Sequence, residues 1–96
     1  MFDLDGRAAL VTGAGSGIGA AVAEAFAQAG AAVLVSDVDE AAAKAVAERI
    51  REAGGTAEYC GLDVRDAGAA ADAARRAAEL AGGKLHVLVN NAGAIA

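Results

Sequence analysis

The chain has 96 residues, room for one small domain that buries only about 60–65% of the surface its unfolded form exposes. A net charge of −5 excludes a nucleic-acid surface, which needs a clustered basic stripe, and the adjacent pair Arg75-Arg76 among alanines reads as a solvated helix face. One cysteine, Cys60, excludes an intrachain disulfide, and no stretch approaches the ~20 uninterrupted apolar residues of a membrane span.

The first seven residues, Met1 to Arg7, carry two acids and no basic leader region, so no secretory signal is expected and the expected location is the cytoplasm. Ala8-Ala9-Leu10-Val11 is too short for a helix and runs into glycines, which predicts a buried strand. From Gly17 to about Ala29, Ile18, Val22, Ala25, Phe26 and Ala29 recur at three- and four-residue intervals, predicting one helix with these residues inward and Gly30 behind its end.

Ala32-Val33-Leu34-Val35 predicts a second buried strand, followed by a helix over about 39–53 that buries Ala43, Val46, Ala47 and Ile50. Thr56 to Cys60 predicts a third strand, with Ala57 and Tyr59 on one side and Glu58 on the other. A helix over about 66–81 with Asp66 as its cap comes next, then a fourth strand over 85–89 and the run Asn90-Asn91-Ala92-Gly93. Strands and helices alternate, each crossover is long enough for a right-handed βαβ unit, and near-continuous apolar strands require helices on both faces. The expected fold is α/β, a doubly wound parallel sheet (Rossmann fold) of which the chain holds the first four strands, in one domain over 1–96 without linker or repeat.

In such a sheet ligands bind at the carboxyl ends of the strands. The first strand ends there in Thr12-Gly13-Ala14-Gly15-Ser16-Gly17-Ile18-Gly19, directly before a helix. Gly13 lets the chain turn off the strand, Gly17 clears space for a pyrophosphate to reach backbone N–H groups at the helix start, and Gly19 lets the helix lie close. Asp37 stands at the tip of the second strand, where a carboxylate accepts hydrogen bonds from a ribose diol and repels a 2′-phosphate. Ser16 and Val38 are neutral and the next cation after Asp37 is Lys44, which favours NAD over NADP. Asp37 with Glu40 three residues on also fits a helix cap with its capping-box partner.

The pattern T-G-x-x-x-G-I-G, with Asp37 closing the second strand, Asp63-Val64 after the third and Asn90-Asn91-Ala92-Gly93 after the fourth, resembles the short-chain dehydrogenases/reductases along the chain from about Leu4 to Ala94. The resemblance implies a cofactor site made by Gly13, Ser16, Gly17, Ile18, Gly19, Asp37, Asp63, Val64, Asn90, Ala92 and Gly93. In it Asp63 contacts the adenine amino group, Val64 packs beside the ring, Asn90 contacts the cofactor, Ala92 and Gly93 leave it room, and Asn91 braces the central strands. It further implies an NAD-dependent oxidoreductase acting on a small-molecule alcohol/carbonyl pair, a homo-oligomer at full length, with no metal.

Catalysis in that family rests on a Ser, a Tyr-x-x-x-Lys pair and a further Asn, all beyond the N-N-A-G segment. None can be assigned: the only tyrosine, Tyr59, is followed four residues later by Asp63, and it reads as core. The chain is therefore expected to be the cofactor-binding part of a longer enzyme and inactive alone, with residues 85–89 left as an exposed sheet edge. His86, where many family members have Asp, lies at the wrong end of its strand for catalysis and reads as a surface or strand-end residue. Two other readings use the same turn. A methyltransferase site takes G-x-G-x-G and an acid ending the second strand, though it needs neither Ile18-Gly19 nor the asparagines; a non-catalytic dinucleotide-binding module needs no catalytic half at all.

Overall fold

The computed structural model describes residues 4–91. Its elements are β1 (Ala8–Thr12), α1 (Gly17–Gln28), β2 (Ala32–Asp37), α2 (Glu40–Glu52), β3 (Thr56–Gly61), α3 (Ala67–Glu79) and β4 (Val87–Asn90). All strand pairs are parallel, in the order β3-β2-β1-β4. The chain thus reverses its direction of travel across the sheet after β3, and β1 and β4 flank the crevice where that reversal occurs.

Two apolar layers, one on each face, make the sheet doubly wound. Ala9, Val11, Val33, Val35 and Ala57 pack with Ala23 and Ala27 of α1 and with Val46, Ala47 and Ile50 of α2. Leu10, Leu34 and Cys60 face the other way and pack with Leu62 and with Ala73 and Ala77 of α3. Alternation along each strand assigns its residues to these layers, and both faces must be covered for β1 to be buried along its whole length and β2 up to Asp37. Cys60 is buried there as a small core residue, and burial pushes its thiol pKa up. No helix among the described residues is long and apolar enough to cross a membrane.

Three expectations are corrected. The buried face of α1 is Gly19, Ala20, Ala23 and Ala27, while Val22 and Phe26 flank it, Ala25 is exposed and Ile18 is 76% exposed. Small residues let the helix axis approach the sheet, so the larger side chains are displaced to the sides. The strand after α3 runs over Val87–Asn90 rather than 85–89; Leu85 packs into the α3 layer, and His86 bonds Ala8 through both its main chain and its ring. Tyr59 is only half-buried, at the rim of the α1/α2 layer, because among the described residues no strand lies beyond β3.

That outer side of β3 is not bare. The Arg51 guanidinium donates to the Ala57 carbonyl at 2.7 Å and Arg76 donates to the Tyr59 carbonyl at 3.5 Å. On β4 at the opposite edge, Leu88 is 59% exposed although its partner Leu10 is buried beneath α3.

Candidate functional site

β1 delivers the chain to the crevice. Buried Thr12 closes the strand, its hydroxyl donating to Asn90 Oδ1 at 3.0 Å and to the Val89 carbonyl at 3.4 Å, so the tips of β1 and β4 are tied. Gly13 then turns the chain at φ +62°, a left-handed conformation that costs a side-chain-bearing residue about 1–2 kcal/mol. Ala14 N–H donates to the Ser36 carbonyl at 2.8 Å, and the Ser36 hydroxyl donates to the Val11 carbonyl at 2.9 Å, fastening the turn to β2.

Gly17, the first residue of α1, also has a left-handed φ of +61°, and nothing lies within 4 Å of the place a Cβ would take. The space in front of the helix start is open. Ser16 is the cap residue, but its side chain makes no capping bond, and no acid stands in the first turn. The positive end of α1 is left without a side-chain acceptor of its own, an arrangement suited to an external anion. Gly19 serves closeness: a Cβ there would sit 2.1 Å from the Gly13 carbonyl oxygen. The turn and the first turn of α1 are therefore in direct backbone contact.

Asp37, at the end of β2, is half-buried. Its Oδ2 accepts from Gly15 N–H at 2.8 Å and its Oδ1 from Asp39 N–H at 2.9 Å. A carboxylate oxygen accepts two hydrogen bonds, so each oxygen keeps capacity for one hydroxyl of a vicinal diol. The capping-box reading of Asp37 with Glu40 is corrected: Asp39 caps α2, accepting from Ala42 N–H at 3.1 Å, because the helix begins at Glu40 and Asp37 is turned back to the glycine turn. Gly15, absent from the expected site residues, lies directly against Asp37. A Cβ on Gly15 would meet Ala42 Cβ at 2.7 Å and Asp37 Oδ2 at 3.0 Å, so the start of α2 and the Asp37 carboxylate press on the turn.

Beyond β3, Leu62 N–H bonds the Asp37 carbonyl at 2.9 Å and brings the next acid beside the first. Asp63 Oδ1 accepts from Arg65 N–H and Nε, each at 3.0 Å, and Oδ2 accepts from Arg65 Nη2 at 2.8 Å. The Arg65 bonds hold the Asp63 carboxyl down at about 2, below the ordinary aspartate range. Val64 is half-buried against the α3 layer, and Asp66 caps α3 on Ala69 N–H at 3.0 Å, as expected. Asn91 Nδ2 donates to the Gly13 carbonyl at 3.2 Å, so the second asparagine braces the turn itself. Ala92 and Gly93 lie outside the described residues.

Ile18 and Val38 are 76% and 78% exposed, and both stand at this rim, one after β1 and the other after β2. These are two large apolar side chains left uncovered next to the glycine turn and Asp37. Sequence reasoning had treated Val38 only as a neutral neighbour of Asp37. His86 and Tyr59 stand outside the site: the imidazole accepts from Ala8 N–H at the amino ends of the strands, and Tyr59 belongs to the core rim. A separate groove of about 610 Å³, lined by Glu24, Ala27, Gln28, Arg49 and Ile50, lies between the C-terminal ends of α1 and α2, at the far end of the sheet.

The short chain dehydrogenase family model matches residues 7–96, which includes every element of this site. The chain belongs to the short-chain dehydrogenase family. A hydroxysteroid dehydrogenase from Escherichia coli is 44% identical with a TM-score of 0.87 over 94% of this chain and 38% of its own. A short chain dehydrogenase from Mycobacterium avium is 45% identical with a TM-score of 0.88 over 97% of this chain and 35% of its own. An uncharacterized oxidoreductase from Mycobacterium tuberculosis (strain CDC 1551 / Oshkosh) is 64% identical over 33 residues, 34% of this chain and 12% of its own. This short-chain dehydrogenase sequence thus spans well under half the length of each of these relatives. The comparisons give the methyltransferase reading no support.

Proposed function

We propose that this chain is the NAD-holding part of an oxidoreductase that moves hydride between an alcohol and a carbonyl compound. The observation that carries the cofactor reading is Asp37, anchored by Gly15 N–H with acceptor capacity left on both oxygens. Gly13, Ser16, Gly17, Ile18 and Gly19 would hold the pyrophosphate, Asp37 the adenosine ribose, Asp63 and Val64 the adenine, and Asn90 with Ala92 and Gly93 the nicotinamide side. The open space before Gly17 fits such an occupant, since a side chain there would fill the cradle. When bound, NAD supplies the hydride acceptor. This chain's own part is to bind, orient and select; the proton relay of Ser, Tyr and Lys falls to residues outside these 96, in a cytoplasmic homo-oligomer.

Selection against NADP follows from charge. A 2′-phosphate would meet Asp37 directly, and the cation on the neighbouring loop, Arg65, is already engaged by Asp63. Like charges a few ångströms apart in a partly desolvated site are worth more than the ~1.4 kcal/mol of a tenfold preference. Calorimetry on the full-length protein should show NAD binding at least about tenfold tighter than NADP. Asp37→Asn keeps an oxygen for Gly15 N–H while removing the charge, and should narrow that ratio. Equal affinities for the two dinucleotides in the unaltered protein would overturn the cofactor choice.

A further inference from the structure

The loop after β3 holds a side chain that the site as described leaves without a role. Arg65 is exposed, its side chain 88% accessible, yet three of its N–H groups converge on Asp63. An exposed ion pair two residues apart contributes little to stability. What it does contribute is orientation. Nε and Nη2 form a planar fork that grips both carboxylate oxygens at once, and the main-chain N–H adds a third bond from the same residue, which fixes the carboxylate plane against the β3–α3 loop.

The count of acceptor sites is decisive. A carboxylate has about four lone-pair positions. Arg65 fills both on Oδ1 and one on Oδ2, which leaves a single acceptor position, on Oδ2. We propose that Arg65 is a positioning residue for adenine recognition: it fixes Asp63 so that one directed acceptor remains for the exocyclic amino group of the adenine. This rests on the reading of Asp63 given above and adds to it the residue that makes the acid selective. Without the fork, only the main-chain N–H of residue 65 still holds Oδ1; the carboxylate can turn about that bond and presents up to three acceptor positions to water, which loosens the directionality while keeping the charge. The Arg65 bonds also favour the ionised form of Asp63, so the acceptor persists further into acid than an ordinary aspartate would allow.

The test measures discrimination. Calorimetry on the full-length protein compares NAD with nicotinamide hypoxanthine dinucleotide, which carries a carbonyl oxygen where adenine carries its amino group. The unaltered protein should prefer NAD by about tenfold, the worth of one hydrogen bond to a charged group. Arg65→Ala should collapse that preference severalfold at an unchanged melting temperature, and Arg65→Lys, a cation without a fork, should do the same. In the ligand-free protein, Arg65→Ala should raise the Asp63 carboxyl titration, followed by NMR, from about 2 toward the ordinary ~3.9. If the unaltered protein discriminates and Arg65→Ala discriminates equally well, Arg65 has no positioning role and the Asp63 reading survives. If the unaltered protein does not discriminate, the Asp63 reading falls and this inference with it. Retention of the preference in Arg65→Lys would show that charge, not the fork, is at work, and a selective loss of NADP binding in Arg65→Ala would make Arg65 a phosphate ligand; either overturns the proposal.

Discussion

Replacing Gly19 with alanine sets helix propensity against packing. In a helix, glycine to alanine is ordinarily favourable by about 1 kcal/mol. Here the new Cβ would stand 2.1 Å from the Gly13 carbonyl oxygen, 2.9 Å from its carbon and 3.0 Å from Ala14 Cα. Close C–H to carbonyl contacts settle at about 3.3–3.6 Å, so the Gly13 peptide must retreat by more than ~1 Å. It cannot do so freely, because its carbonyl accepts from Asn91 Nδ2 and the next residue's N–H is bonded to Ser36. Overpacking of this kind costs about 1–3 kcal/mol, and losing the Asn91 bond adds about 1. Set against the helix gain, the net loss is about 1–3 kcal/mol, a sizeable part of the roughly 5–14 kcal/mol that a domain of this size holds. Equilibrium urea unfolding of the full-length protein should show it as a lowered midpoint at unchanged slope. A midpoint equal to or above that of the unaltered protein would mean that the turn is not locked to the helix as described.

Gly17→Val should abolish dinucleotide binding while leaving most of the helical circular dichroism signal, since its Cβ enters the open space before α1 and the strain of a left-handed φ is confined to the helix start; normal NAD affinity would dismiss the cradle. The 96-residue chain made alone should oxidise no alcohol with NAD, because no proton relay is present, and measurable turnover would contradict that. The same isolated chain should elute from size-exclusion chromatography as oligomers or aggregate, driven by the β4 edge and exposed Leu88, whereas a compact, cooperatively melting monomer would argue otherwise.

Element type and order were legible because apolar runs of strand length alternate with longer stripes and glycines. What stayed hidden depends on distance and on depth. The phase of α1 was misjudged because alanine carries little weight in a hydrophobic pattern, yet Ala20, Ala23 and Ala27 are what allow the helix to lie close, and Ile18 is left outward. The true start of β4 could not be read from Leu85, whose side chain serves the α3 layer just before the strand begins. At the site, Gly13, Gly17, Gly19 and Asp37 were assigned from local spacing, and the turn geometry suits those assignments. Gly15 on Asp37, Thr12 on Asn90 and Asn91 on Gly13 join residues far apart in the chain, and no local pattern announces such pairs. Asp37 passed for a helix cap because its spacing to Glu40 fits one; only the fold shows its carboxylate turned the other way.

The two arginines on the outer carbonyls of β3 give the sheet a direction of growth. Parallel strands expose alternate carbonyls along an edge, and on β3 the two at Ala57 and Tyr59 are already taken by groups from the chain's own helices. A strand approaching from that side must displace both guanidiniums and pass the charge of Glu58 before it can pair. On β4 it meets Val87, Leu88 and Val89 with no ionic side chain among them. A further strand therefore meets less resistance on the β4 side. Pairing on the wrong flank is suppressed by two side chains that take no part in the core or in the site.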